Sequence, residues 1–216
     1  PSSALTNAGT TTISLSSVVA SASGCTTTIT PGTITDSFVI NALPNVTGGT
    51  NSVAVTEPLC LGSNGAVTFN ASAMANGTYN IAYTLSGANA STQTASGVVV
   101  ASGTGTFTIP SSALTNAGTT TISLSSVVAS VSGCTRTITP GTITDSFVIN
   151  ALPNVTSATS SVAVTEPLCL GSNGTVTFNA SALTNGTYNI AYTLSGANAS
   201  TQTASGVVVA SGTGTF

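Results

Sequence analysis

The stretch Tyr79-Asn80-Ile81-Ala82-Tyr83-Thr84-Leu85 carries large apolar or aromatic side chains at its odd positions and small or polar ones at its even positions. A period of two is typical of a β-strand that buries one face. Similar runs rich in Val, Ile and Thr surround it, separated by Gly, Asn and Pro. The pattern predicts an all-β fold of about seven or eight strands in two packed sheets.

The same heptapeptide recurs at 188–194, because a shift of 109 positions aligns residues 1–107 with 110–216 and only eight aligned pairs differ. Such near-identity is typical of serial repeats in a longer array, of which we expect this chain to be an internal piece. Residues 147–154 read as a last strand entering a Pro-containing joint, and residues 38–45 repeat them. We therefore expect the back part of one repeat at 1–42, a complete repeat at 43–151 and the front part of the next at 152–216.

The large side chains of the complete repeat are few, so we expect a slim core. Its predicted members are the aromatic and branched residues at inward-facing positions: Phe69, Tyr79, Ile81, Tyr83, Leu85, Phe107, Ile109, Ile122, Leu124 and Phe147.

Charge is almost absent, at 2% of residues against about a quarter in ordinary soluble proteins. A single Arg and a net charge of −3 exclude a phosphate-binding surface, so no nucleic-acid partner is expected. No apolar run approaches the roughly 20 residues of a spanning helix. There is no His or Lys to serve as a base, and we interpret Glu57 and Asp145 as exposed solubilising residues. The sequence thus predicts neither an enzyme nor a cofactor or metal site.

Each repeat carries two cysteines, Cys60 and Cys134 in the complete copy and Cys25 and Cys169 in the partial ones. A Cys60–Cys134 disulfide would close a 74-residue loop and stabilise the fold by roughly 4 kcal/mol. Cys25 and Cys169 would pair with cysteines in the rest of their own domains or with each other. A free thiol pair and a metal site are the alternatives, although the chain has no His and no CxxC spacing.

Several surface motifs suggest modification. Asp36-Ser37-Phe38 and Asp145-Ser146-Phe147 resemble a loosened form of an Asp-Ser/Thr-apolar O-glycosylation site, which makes Ser37 and Ser146 candidates. Asn-x-Ser/Thr tripeptides such as Asn89-Ala90-Ser91 also recur, as chance allows in a chain this rich in Asn, Ser and Thr.

The segment Thr56–Gly65, followed by Val67-Thr68-Phe69 and later by Ser132-Gly133-Cys134-Thr135, resembles the Ig-like repeats of giant cell-surface adhesins of gliding Gram-negative bacteria. The resemblance covers each 109-residue unit. It implies tandem Ig-like β-sandwiches, exported to the cell surface by the type IX route and used in adhesion or gliding motility.

Two functions remain open from the sequence. The first is a structural repeat of an extracellular filament or stalk, whose partners are neighbouring repeats of the same protein in a homopolymer or long array, together with surface glycans. The second is a ligand-binding adhesin module for carbohydrate or ice. Exposed Tyr would favour sugar stacking, and the Thr runs at 10–12 and 119–121 would favour ice.

Overall fold

The computed structural model describes residues 2–156 and 160–216 and is nearly all β, which confirms the predicted fold class. It divides into two compact units, Pro1–Ala151 and Leu152–Phe216. Four strands precede the middle repeat. Antiparallel pairs join β1 to β4 and β2 to β3. These strands, which follow a 3₁₀ turn at Ser2–Ala4, are β1 (Gly9–Ser14), β2 (Ser17–Val19), β3 (Thr26–Thr28) and β4 (Thr35–Ile40).

The middle repeat contains nine strands, of which β6 and β12 are only two and three residues long. The strands are β5 (Asn51–Val55), β6 (Leu59–Cys60), β7 (Gly65–Ala71), β8 (Gly77–Gly87), β9 (Ser91–Ala101), β10 (Thr104–Ile109), β11 (Gly118–Ala129), β12 (Thr135–Thr137) and β13 (Thr144–Asn150), with a 3₁₀ turn at Ser111–Ala113.

The hydrogen-bonded order β5-β7-β10-β9-β8-β11-β13-β6 places β5 and β6 at opposite ends, with β12 added beside β11. Only residues 56–58 separate β5 from β6 along the chain, so the sheet must curl until its ends meet. The first strand of the repeat therefore crosses from one half of a sandwich to the other. Its β5 part pairs antiparallel with β7, and its β6 part pairs parallel with β13.

The core lies inside this curled sheet. Nine of the ten predicted core residues are buried, and Phe107 is half-buried, with its ring centroid 5.4 Å from that of Tyr83. The alternation in 79–85 explains the burial of Tyr79, Ile81, Tyr83 and Leu85, because the odd-numbered side chains of this stretch of β8 point inward. Of the fourteen buried core residues that we did not predict, eight lie in the longer strands. The other six lie in loops or in the short β6: Val46, Leu59, Met74, Leu114, Ile138 and Ile143.

The second unit repeats the front of the fold. Its five strands pair in the order β14-β15-β18-β17-β16, around a smaller core that includes Phe178, Leu183 and Val209. The strands are β14 (Ser160–Val164), β15 (Val176–Ala180), β16 (Gly186–Leu194), β17 (Ser200–Ala210) and β18 (Thr213–Thr215), with a 3₁₀ turn at Gly196–Asn198.

Candidate functional site

The two acids of the middle repeat join its first and last strands. The Oδ2 atom of Asp145 in β13 accepts a hydrogen bond from the backbone N–H of Val55 in β5, at 2.8 Å. The Oε1 atom of Glu57 accepts one from the N–H of Val148, at 2.6 Å. Charge-assisted bonds of this kind are stronger than neutral ones. Both acids thus hold the strand crossing in place, a role that the sequence interpretation missed. Glu57 is exposed as expected, whereas Asp145 is half-buried because its carboxylate turns toward β5.

The acids of the partial repeats are arranged differently. The Oδ1 atom of Asp36 accepts a bond from the N–H of its neighbour Ser37, at 2.9 Å, and Glu166 is exposed. Over residues 2–156 and 160–216, no three or more His, Cys, Asp and Glu side chains come together as a possible metal site. In this structure the acids of the middle repeat act as acceptors of hydrogen bonds from backbone amides.

The structure does not bring Cys60 and Cys134 together. In the strand register, Cys60 of β6 lies opposite Asn150 of β13. This is the end of the sheet where Ile149 faces Gly118 at the start of β11. Cys134 lies beyond the other end of β11, with its carbonyl accepting a bond from Ala129. The 12 residues of β11 span roughly 35 Å at about 3.3 Å per residue. A disulfide needs Cα atoms about 4.4–6.8 Å apart, so the predicted pair is not formed here.

All four thiols are free, and Cys134 is half-buried whereas Cys25, Cys60 and Cys169 are exposed. The alternative pairing of Cys25 with Cys169 is not formed, since both thiols are free, and their pairing with cysteines in the rest of their own domains stays a prediction. Cys134 faces the preceding repeat. Its Sγ donates to the backbone O of Asn41, immediately after β4, at 3.8 Å.

The joint between the first two repeats is short and packed. Only residues 41–43 are exposed between the end of β4 and Pro44, which is buried. Val46, two residues on, already belongs to the core of the middle repeat. The Nε–H of Arg136 donates to the backbone O of Pro44 at 3.5 Å, which ties the start of the middle repeat to its strand β12. A joint with so few free residues restricts the bending of one repeat against the next.

One face of the middle repeat is covered with hydroxyl groups. Over part of β8, β11 and β13, two outward positions on each strand hold Ser or Thr, and the strand registers align them side by side. The hydroxyls of Thr121 and Ser146 lie 2.8 Å apart. We name this the hydroxyl face, and its residues are Thr84, Ser86, Thr121, Ser123, Thr144 and Ser146.

Neither Thr run forms a row on one surface. Thr120 is fully buried and its Oγ1 accepts a bond from Nδ2 of Asn89 at 2.9 Å, so 119–121 alternates between two faces. The tyrosines of the middle repeat are also turned inward. Tyr79 and Tyr83 are buried, and this burial raises the pKa of the Tyr83 hydroxyl. The middle repeat therefore presents no exposed Tyr ring for sugar stacking.

The candidate modification sites differ in accessibility. Ser37 and Ser146 are exposed, and each shares a hydroxyl contact with the Thr opposite it, Thr12 and Thr121 respectively. Asn89 is 2% exposed and its Oδ1 accepts the N–H of Asn116 at 2.9 Å, so its amide is closed to a glycosylating enzyme once the repeat has folded.

Comparisons with family models, with curated proteins and with solved structures find no match to this chain. Of the helices in the described residues, none has the length and apolar character needed to cross a membrane.

Proposed function

We propose that this chain is a structural part of an extracellular filament or stalk that mediates surface adhesion or gliding. The observation that carries the proposal is the joint at residues 41–43. Only three exposed residues separate the first two repeats, and Pro44 and Val46 are buried directly after them. A series of repeats connected in this way would be stiff rather than freely jointed.

The surface chemistry supports the same role. Each described acid either accepts a hydrogen bond from a backbone amide or is exposed to solvent. Uncharged hydroxyl groups line part of one sheet face, which suits a passive stalk. A single Arg leaves one trypsin cleavage site in the whole chain, which suits a protein exposed to proteases. The resemblance to Ig-like adhesin repeats, with export by the type IX route, remains part of this proposal.

Surface labelling tests the location. Antibodies raised against residues 43–151 should label intact, unpermeabilised source cells, and electron micrographs should show the label at a regular axial spacing of one repeat. Labelling that requires permeabilised cells would contradict the proposal.

The joint itself provides a test of stiffness. Insertion of Gly-Ser-Gly-Ser between Ala42 and Leu43, made at every equivalent joint of the full protein, should broaden the axial spacing in electron micrographs and weaken attachment to surfaces. The same insertion between Gly171 and Ser172, at an exposed turn with open space around Gly171, is the matched control and should change neither. Equal effects of both insertions would count against a stiff stalk.

The hydroxyl face favours one alternative, a binding module for an ordered polar surface such as a glycan or ice. Its Ser and Thr side chains sit on a strand spacing of about 4.8 Å, which gives a regular array of donors and acceptors. Replacing Thr84, Thr121 and Thr144 with Val keeps the β-branched shape and removes the hydroxyls. Glycan-array binding or thermal hysteresis that this triple variant abolishes would support the alternative, whereas absence of both activities in the parent chain would reject it.

A further inference from the structure

The repeat places two different cysteines beside the same kind of asparagine. In the middle repeat, Asn150 is the parallel partner of Cys60. The Asn150 carbonyl accepts the N–H of Leu61 at 2.9 Å, and its Nδ2 donates to the O of Leu59 at 3.1 Å. Asn150 therefore fixes the backbone on both sides of Cys60.

Asn41 is the equivalent of Asn150 in the preceding repeat. The registers agree, because Gly9 faces Ile40 in β1 and β4 just as Gly118 faces Ile149 in β11 and β13. In an intact preceding repeat, the equivalent of Cys60 would therefore pair with Asn41. The Sγ of Cys134, which belongs to the following repeat, already lies 3.8 Å from the Asn41 carbonyl.

We infer that consecutive repeats are joined by a disulfide across each joint, between the Cys60 of one repeat and the Cys134 of the next. In this arrangement the Asn41 carbonyl is approached by the Sγ of Cys134 and by the backbone N–H that follows the equivalent of Cys60, which brings the two cysteines of consecutive repeats to the same carbonyl. Cys60 is exposed in the middle repeat, so its thiol is accessible to a cysteine of a neighbouring repeat. No two of the four cysteines here stand in this relation, which agrees with their being free.

The bond forms by exchange with a disulfide-containing oxidant, such as oxidised glutathione or a protein disulfide. One thiolate attacks the oxidant and releases its first thiol, and the second cysteine's thiolate then attacks the mixed disulfide and releases the other thiol. The two protein thiols lose two protons and two electrons in total, and the oxidant's disulfide gains both electrons to become two thiols.

The experiment extends the full chain by one repeat. A copy of residues 108–216 is appended after Phe216, with Val131→Ala in the copy so that its cysteine-containing peptide differs in mass from the otherwise identical peptide of Cys134. The purified monomer is oxidised at low concentration with oxidised glutathione. Mass spectrometry of a non-reduced digest, cut after aromatic residues, should find Cys60 linked to the added copy of Cys134, and the free thiol count should fall by two. A Cys60–Cys134 link, a link of Cys169 to the added Cys134, or no link at all would overturn the inference.

Two single variants sharpen this test. Cys134→Ser should leave the link intact, whereas Cys60→Ser should abolish it and return one thiol, that of the added copy of Cys134. Under pairing inside each repeat, Cys134→Ser would instead liberate Cys60. Amide exchange of β8 and β11 checks that both variants remain folded. The measurement uses purified protein, so it stands or falls independently of surface labelling on cells.

Discussion

The middle repeat and its partial neighbours share nearly the same sequence but bury very different amounts of it. Ile122 is 0% exposed, whereas its equivalent Ile13 is 54% exposed. Val53 is 4% exposed, whereas Val162 is 68% exposed. Strand pairing survives where burial does not, since β1 and β4 keep the register of β11 and β13. Register is thus determined within each half of the repeat, while the core requires both halves.

The strongest test of this comparison is to complete the third repeat. A copy of residues 108–151 is appended after Phe216. It supplies the third repeat with the strands that, in the middle repeat, cover Val53 and Tyr79. We expect the amides of β16 to gain protection corresponding to the stability of a whole domain, about 5–15 kcal/mol. Hydrogen exchange followed by mass spectrometry measures it. Protection of β16 no higher than in the parent chain would show that the two halves do not form one core.

A matched pair of truncations should separate the two settings of one residue. Ile122→Ala leaves a cavity in the closed core and should cost about 2–5 kcal/mol in the free energy of unfolding of the middle repeat. Ile13→Ala, at an exposed site, should change stability by no more than about 0.5 kcal/mol. Urea unfolding of dilute monomer measures both. A similar loss for the two variants would mean that the partial repeat has a core of its own.

The strand crossing provides a smaller effect. Asp145→Ala leaves the Val55 N–H without its carboxylate acceptor and should destabilise the middle repeat by about 1–3 kcal/mol. Asp36→Ala, in which only a bond to the adjacent Ser37 N–H is lost, is the control and should stay within about 0.5 kcal/mol. The same urea titration compares them. An unchanged free energy of unfolding for Asp145→Ala would show that the bond from the Val55 N–H to this carboxylate does not stabilise the strand crossing.

The smallest effect is confined to alkaline solution. Burial raises the pKa of Tyr83, so the folded state holds its proton more firmly than the unfolded state. Stability from this group is complete below about pH 10, the unfolded value, and declines as the pH rises toward the folded pKa. The midpoint temperature of thermal unfolding of Tyr83→Phe should fall less in alkaline solution than that of the parent chain. Near pH 8 the two should show the same stability change with pH. Identical alkaline profiles would assign the decline to other groups.

The sequence predicted those features that short-range alternation controls. Odd-numbered side chains of 79–85 are buried as expected. The core contribution of Val46 and Leu114 was not predicted, because both lie outside strands and their burial depends on where the chain returns. The Cys60 and Cys134 pairing was inferred from composition alone, which contains no information about the end of the sheet that each occupies. The hydrogen bonds that Glu57 and Asp145 accept from the opposite strands were missed for the same reason.

The parallel pairing of β6 with β13 has a mechanical consequence. If repeats in series carry tension, as the proposed filament role requires, the front and the back of each repeat are pulled in opposite directions and β6 is sheared against β13. Their hydrogen bonds, together with those made by Glu57 and Asp145, then resist sliding simultaneously instead of opening one after another. Breaking several hydrogen bonds at once takes a larger force than breaking the same bonds singly, so this pairing would favour resistance to pulling.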